Sequence, residues 1–151
     1  MQMIKQVKFS RRARPLLYFA EELNVRMLQE FPRTVEAIVP VPLHRSREWE
    51  RTFNQSALLA KYIGEFSGLP LREILRRNKR TSPQTSLSGM ARRRNLKGVF
   101  EVRAGSVPHS VVLVDDVVTT GATLESCANV LRKAGVRRVY GLTVARAVLK
   151  I

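Results

Sequence analysis

The sequence has very few of the side chains from which disulfide frameworks and metal clusters are built. Among its 151 residues there are one cysteine, Cys127, and two histidines. A single cysteine cannot form an internal disulfide, and two histidines beside it leave a structural zinc site short of ligands. A hydrophobic core must therefore hold the fold together, and a chain of this length is large enough to build one.

Long apolar segments are also missing. The longest runs, such as Val111–Val114, are far shorter than the roughly 20 residues of a membrane-spanning helix. Met1–Arg14 mixes basic with isolated apolar residues, so it has no continuous apolar region of a secretory signal. The content of 44% hydrophobic and 26% charged residues is typical of globular proteins. We therefore expect a single soluble domain over residues 1–151, located in the cytoplasm.

Acidic residues are scarce relative to basic ones. The chain has 27 Lys and Arg against 12 Asp and Glu, which gives a formal net charge of +15. Residues 76–97, a stretch of 22 residues, contribute +8 of this charge and include no acidic residue. Such a stretch is either a solvated basic surface or a binding surface for an anionic partner, such as nucleic acid or a phosphorylated metabolite.

Hydrophobic spacing predicts an alternation of helices and strands. The helices are predicted over Ala13–Glu30, Phe53–Phe66 and Ala122–Lys133, and the strands over Glu36–Val41, Val99–Val102, Ser110–Asp115 and Val139–Val144, with Leu71–Leu75 as a further candidate strand. In the C-terminal third, a strand, a helix and a strand follow one another through short connections, which is typical of a βαβ unit with parallel strands. We expect an α/β fold, a three-layer sandwich with a mainly parallel central sheet.

The segment richest in chemistry is Val111–Thr123, with the sequence VVLVDDVVTTGAT. Its apolar start places Asp115 and Asp116 at the carboxyl end of a central strand, where open α/β sheets bind ligands. The residues that follow form a small, hydroxyl-rich turn into a helix, whose free amides make an anion site: Thr119, Thr120, Gly121, Ala122 and Thr123. A phosphate one sugar length from two carboxylates describes a site for ribose 5-phosphate, with Asp115 and Asp116 accepting hydrogen bonds from the 2′- and 3′-hydroxyls.

Two other interpretations of this segment have to be weighed. A strand that ends in Asp-Asp also occurs in Walker B segments, and the Thr-Thr-Gly-Ala-Thr turn could be only a capped helix start. The Walker interpretation needs a phosphate loop with a Gly-Lys dipeptide, and the sequence contains none. It contains no Gly-x-Gly either, which excludes the dinucleotide-binding fingerprint. These absences favour the ribose 5-phosphate interpretation over the Walker and dinucleotide ones, and the capped helix start stays open as an alternative.

The same 13 residues resemble the phosphoribosyl-diphosphate (PRPP) signature of type I phosphoribosyltransferases. Val39–His44, Arg51–Gln55 and Leu58–Ala60 further resemble the ComF family, a group of competence-associated, phosphoribosyltransferase-like proteins. Members of that family usually begin with a zinc ribbon of paired Cys-x-x-Cys motifs, which this chain lacks, so it resembles the phosphoribosyltransferase domain alone, whether truncated or naturally short. Thr52 stands where the family usually has glycine.

The resemblance implies further site residues. The pyrophosphate would lie on the loop after the first strand and contact four polar residues: Arg45, Arg47, Arg51 and Asn54. Asn54 is equally well explained as an ordinary helix N-cap. Residues 77–97 would be the basic, flexible loop that closes over PRPP, with three candidate contacts: Gln84, Arg92 and Asn95. The implied cofactor is Mg²⁺, which would bridge the diphosphate and the ribose hydroxyls.

Two functions are consistent with these features. The first is Mg²⁺-dependent transfer of a 5-phosphoribosyl group from PRPP to an unknown acceptor, in a protein associated with DNA uptake and natural competence. The second is a non-catalytic protein that retains the PRPP fold and binds single-stranded DNA in company with a competence helicase. A homodimer would also be consistent with the resemblance.

Overall fold

The structure, a computed structural model, describes residues 14–43, 54–78, 96 and 98–146. This part of the chain contains three helices, which are α1 (Arg14–Glu30), α2 (Gln55–Ser67) and α3 (Ala122–Lys133). The strands are β1 (Ala37–Pro40), β2 (Leu75–Arg77), β3 (Phe100–Val102), β4 (Ser110–Val118) and β5 (Arg138–Arg146). The three helices lie where the hydrophobic spacing predicts them, and α3 has the predicted bounds.

The central sheet has the strand order β1-β4-β5, and all its pairs are parallel. The register pairs Ala37 with Val111 in one ladder and Ser110 with Arg138 in the other. Strands β2 and β3 form a separate antiparallel pair. The expected βαβ unit is present as β4, α3 and β5.

Alternate residues of the sheet face two different helical layers. Val39, Val111 and Leu113 pack with α3 and with the β2–β3 pair, whereas Ile38 and Val112 pack with α1 and α2. All five side chains are at most 1% exposed. Burial on both faces is why the strands are uninterrupted apolar runs rather than alternating ones. The described residues thus form the expected three-layer sandwich.

Two sequence-based predictions need correction. Leu71–Leu75 is not one strand: Leu71 makes an isolated parallel bridge to Ile38, and β2 begins only at Leu75. Strand β4 does not end at Asp115 but continues to Val118, because Val117 and Val118 keep pairing with Ala145 and Arg146 of β5. Among the described residues, none of the helices combines the length and the apolar character needed to traverse a lipid bilayer.

Candidate functional site

The two aspartates lie where the central sheet narrows from three strands to two. The last pair of β1 and β4 is Pro40 with Val114, and the amide of Val41 adds one bond of 2.9 Å to the carbonyl of Val114. Asp115 is the next residue of β4 and pairs only towards β5, with Thr143. Within the described residues, the end of β1 therefore leaves the sheet open beside Asp115, at the position where α/β sheets commonly bind ligands.

Asp115 is held by a side chain from another element. The Oγ of Ser56 donates to Oδ1 of Asp115 at 2.9 Å, and the amide of Asp116 donates to the same oxygen at 2.9 Å. Oδ1 of Asp116 accepts from the amide of Val117 at 2.7 Å. Both carboxylates are half-buried, and these donors stabilise their charge at the edge of the core.

Asn54 is the N-cap of α2. Its Oδ1 accepts from the amide of Ser56 at 3.0 Å, and its Nδ2 donates to the carbonyl of Val41 at 3.1 Å. The interpretation as a cap thus describes what this side chain does, and its contact with pyrophosphate stays a prediction. The other three residues predicted to bind pyrophosphate lie outside the described residues: Arg45, Arg47 and Arg51.

The predicted phosphate loop is the turn between β4 and α3. Gly121 is the N-cap of α3 with φ 78°, a left-handed conformation that glycine adopts without strain. As a glycine, the N-cap residue offers no side chain to cap this helix, and the first intrahelical bond runs from the amide of Glu125 to the carbonyl of Gly121 at 2.9 Å. The amides of Ala122, Thr123 and Leu124 precede that bond and point out of the helix start. The Oγ1 of Thr120 accepts from the amide of Ala122 at 3.4 Å, which is long for such a bond.

A buried thiol of α3 is influenced by Asp115 and by a guanidinium of β2. Cys127 of α3 is fully buried, and its pKa is raised above the ordinary value of 9.0, chiefly by burial and secondarily by the charge of Asp115, while Arg77 acts to lower it. Arg77, the last residue of β2, lies 5.4 Å from the ring centroid of Phe100. Cys127 is thus a buried apolar residue, as a free cysteine usually is.

Sequence reasoning missed two residues of this arrangement, Ser56 and Arg77. Ser56 lies on the face of α2 that also buries Leu59, Ala60 and Ile63, so a polar residue on an apolar face was the available signal. Arg77 is the first residue of the predicted loop 77–97, but the structure places it at the end of β2, and no pattern in the sequence indicates its position beside Phe100. The loop contacts predicted at Gln84, Arg92 and Asn95 lie outside the described residues.

The carboxylates of Asp115 and Asp116 provide only some of the ligands that a hard cation such as Mg²⁺ requires. Among the described residues no group of three or more His, Cys, Asp or Glu could hold a metal ion. Mg²⁺ usually retains waters and is bound through one or two carboxylates together with substrate phosphates. Asp115 and Asp116 fit that requirement, so the residues present are compatible with a magnesium ion that is bound mostly by its substrate.

A family profile described as a phosphoribosyl transferase domain matches residues 58–148. This match covers more than half of the chain, so the chain belongs to the phosphoribosyl transferase domain family. A solved structure of an allosteric regulatory enzyme of purine biosynthesis has the same fold, with a TM-score of 0.55 and 22% identity over 83% of this chain and 25% of that one. The expected fold class, type I phosphoribosyltransferase-like, is confirmed.

Curated relatives confirm the resemblance to ComF proteins. The chain is 43% identical over 116 residues to competence protein F of Haemophilus influenzae, which covers 74% of this chain and 51% of that protein. It is 35% identical over 142 residues to the DNA utilization protein YhgH of Escherichia coli K12, which covers 91% of this chain and 63% of that protein. The chain thus spans between about half and two thirds of the length of these relatives.

Proposed function

We propose that this chain binds PRPP with Mg²⁺ and transfers its 5-phosphoribosyl group to an acceptor. The observation that carries the proposal is the pairing of two features at one end of β4. Asp115 and Asp116, the pair of carboxylates that we call the acidic step, lie in β4 beside the end of β1. The helix α3 starts five residues later, at the N-cap Gly121, which has a left-handed conformation and no side chain to cap the helix. The family match supports the same assignment.

Each feature has a role in the proposed reaction. The first-turn amides of α3 and the hydroxyls of Thr119, Thr120 and Thr123 bind the 5-phosphate, helped by the positive end of the helix dipole. Asp115 and Asp116 accept hydrogen bonds from the ribose hydroxyls and orient C1 towards the acceptor. The bond from C1 to the diphosphate breaks with its electron pair on the diphosphate, and a bond from the acceptor to C1 replaces it. No protein nucleophile is needed.

The remaining parts of the proposal concern residues and groups beyond this edge. Mg²⁺, when bound, neutralises charge on the diphosphate that leaves. The segment after the end of β1 binds that diphosphate through Arg45, Arg47 and Arg51. Residues 77–97 form the basic, flexible loop that closes over the substrate, within one domain that spans residues 1–151 of a cytoplasmic protein.

Calorimetry with PRPP tests this function directly. In the presence of Mg²⁺ the full chain is expected to bind PRPP, and the double variant Asp115→Asn/Asp116→Asn is expected to lose about 100-fold in affinity, because two charge-assisted hydrogen bonds to the ribose are weakened. Glu65→Gln is the matched control: it removes an exposed carboxylate that lies 3.9 Å from Lys61 on α2, and PRPP affinity is expected to remain unchanged. Absence of binding at millimolar PRPP contradicts the proposal.

A second candidate function is binding of single-stranded DNA, and the opposite edge of the sheet favours it. The basic edge consists of five exposed cations at the amino ends of the strands: Arg33, Arg132, Lys133, Arg137 and Arg138. The amides of Arg137 and Arg138 both donate to the carbonyl of His109, and a guanidinium nitrogen of Arg138 lies 3.4 Å from Oγ1 of Thr34, so the connections before β1, β4 and β5 meet there. Glu36 adds one acidic residue to this edge, where it accepts from the amide of His109.

The names of the relatives support this candidate. One is called a competence protein and another a DNA utilization protein, so we propose that this chain too takes part in handling DNA during natural competence. A chain of strong positive charge attracts the phosphates of a nucleic acid, and each contact releases counterions. A homodimer and a helicase partner remain part of this candidate as predictions.

Fluorescence anisotropy of a labelled dT20 oligonucleotide tests the basic edge. We expect the triple variant Arg132→Gln/Lys133→Gln/Arg137→Gln to reduce the slope of log affinity against log salt by about 2, since single strands lose roughly 0.7 per phosphate contact. The control, Arg26→Gln/Lys61→Gln/Arg72→Gln, removes the same charge from three exposed cations elsewhere. If the two triple variants have equal slopes of log affinity against log salt, any binding depends on net charge alone. The basic edge would then not be a DNA-binding surface.

A further inference from the structure

Five residues around the open sheet edge form a closed ring of hydrogen bonds. The amide of Val41 donates to the carbonyl of Val114, and Nδ2 of Asn54 donates to the carbonyl of Val41. The amide of Ser56 donates to Oδ1 of Asn54, and the hydroxyl of Ser56 donates to Asp115, which follows Val114 in the chain. The four bonds measure between 2.9 and 3.1 Å. The ring therefore joins the end of β1, the start of α2 and the acidic step of β4.

The hydroxyl of Ser56 is not needed by α2 itself. The side chain of Asn54 already caps the helix by accepting from the amide of Ser56, so the hydroxyl serves no capping function. Ser56 is 4% exposed and occupies the buried face of the helix next to Leu59 and Ala60, which are fully buried. An apolar side chain would fill such a position at lower cost, because a buried hydroxyl must find a partner. The partner here is the carboxylate of Asp115.

Two donors converge on a single oxygen of that carboxylate. The hydroxyl of Ser56 and the amide of Asp116 both bind Oδ1 at 2.9 Å, from different elements of the fold. Two donors on one oxygen fix the rotation of the carboxylate plane about its terminal torsion, which is otherwise broad. Hydrogen bonds to a charged acceptor are also the stronger ones.

We infer that Ser56 is a positioning residue, which orients the carboxylate of Asp115 for recognition of the ribose diol. The inference rests on the proposed function, in which Asp115 binds a ribose hydroxyl. Ser56 itself touches no substrate in this arrangement. Its hydroxyl acts through Asp115, and through the ring it keeps the acidic step in register with the end of β1, where the proposed diphosphate-binding segment begins.

The test is the preference for ribose over deoxyribose. In the presence of Mg²⁺, calorimetry with ribose 5-phosphate and with 2-deoxyribose 5-phosphate measures how well the site detects the 2-hydroxyl. Loss of a hydrogen bond to a charged group predicts that Ser56→Ala reduces this preference by about tenfold. A residue with a merely structural role would weaken both ligands alike and leave their ratio unchanged.

Three further variants separate orientation from packing. Ser56→Cys nearly conserves the volume at this buried position but has a weak donor, so it should lose the preference as Ser56→Ala does, even if the alanine variant folds poorly. Ser56→Thr keeps the hydroxyl and should retain the preference. Ser67→Ala is the matched control, because it removes a hydroxyl from the other end of α2, where Oγ accepts from the amide of Leu69 at 3.2 Å.

The outcomes distinguish the inference from the function on which it rests. If the wild-type chain binds neither PRPP nor ribose 5-phosphate, the proposed function fails and the inference fails with it. If the wild-type chain prefers ribose 5-phosphate and the Ser56→Ala and Ser56→Cys variants keep that preference, the proposed function stands and Ser56 has no positioning role. Loss in those two variants, with retention in Ser56→Thr and Ser67→Ala, supports the inference.

Discussion

The two halves of the candidate site are built in opposite ways. At the acidic step, the carboxylates of Asp115 and Asp116 accept hydrogen bonds from the protein itself, from the hydroxyl of Ser56 and from the backbone. At the turn between β4 and α3, which we call the phosphate turn, the N-cap Gly121 has no capping side chain, and the bond from the amide of Ala122 to Oγ1 of Thr120 is long. One half is internally satisfied, whereas the other has first-turn donors directed outwards.

This difference has a physical meaning for binding. A carboxylate that is oriented before the ligand arrives loses little entropy on binding, so in the proposed function it would serve selectivity for the correct sugar. Helix-start amides whose N-cap residue has no side chain are stabilised by an anion, so in the proposed function they would serve affinity for a phosphate. The helix α2, which Asn54 caps with its own side chain, illustrates the alternative within the same molecule. The phosphate turn differs from it in the one respect that an anion site requires.

The largest effect that separates the two halves is expected at Gly121. Its φ of 78° lies in the left-handed region, where an alanine costs roughly 1 to 2 kcal/mol. Gly121→Ala should lower the free energy of unfolding by about that amount, and it should also reduce PRPP affinity about tenfold, because relief of the strain shifts the first-turn amides. Chemical denaturation and calorimetry measure the two quantities.

Gly68 offers a matched control for this prediction. It caps the C-terminus of α2 with φ 74°, and an added Cβ would meet nothing within 4 Å, so Gly68→Ala introduces the same strain far from the phosphate turn. We expect a similar loss of stability with no change in PRPP affinity. Should both variants bind PRPP as the wild-type chain does, the turn at Gly121 would be a helix start and nothing more.

The sequence predicts the phosphate turn far better than the surroundings of the acidic step. The turn, its glycine and the helix Ala122–Lys133 are contiguous, so local rules for strands, turns and caps are enough to locate them. The partner of Asp115 is 59 residues away in the chain, and no local rule joins Ser56 to it. Ser56 meets Asp115 because the parallel pairing of β1 with β4 brings the start of α2, which follows β1 in the chain, beside β4.

The error in the end of β4 has the same origin. The sequence places the strand end at Asp115 because the apolar, β-branched run of a buried strand stops there. The structure continues the strand to Val118, because β5 supplies partners as far as Arg146 while β1 ends at Pro40. The length of the neighbouring strand, which the local sequence does not contain, decides where a strand ends.

The smallest expected effect concerns Cys127, which is buried in the core and whose thiol is influenced by the charge of Asp115. Burial raises the pKa of its thiol above the ordinary value of 9.0, so the folded protein keeps the thiol neutral while the unfolded chain ionises it above that pH. The wild-type chain should therefore lose stability as the pH rises from 9 to 10, by at most about 1.4 kcal/mol from this group. In Cys127→Ala, chemical denaturation under reducing conditions should show a shallower fall over the same interval. A wild-type thiol that reacts rapidly with a chromogenic disulfide under native conditions, or equal slopes for the two proteins, would contradict the burial of Cys127 on the inner face of α3.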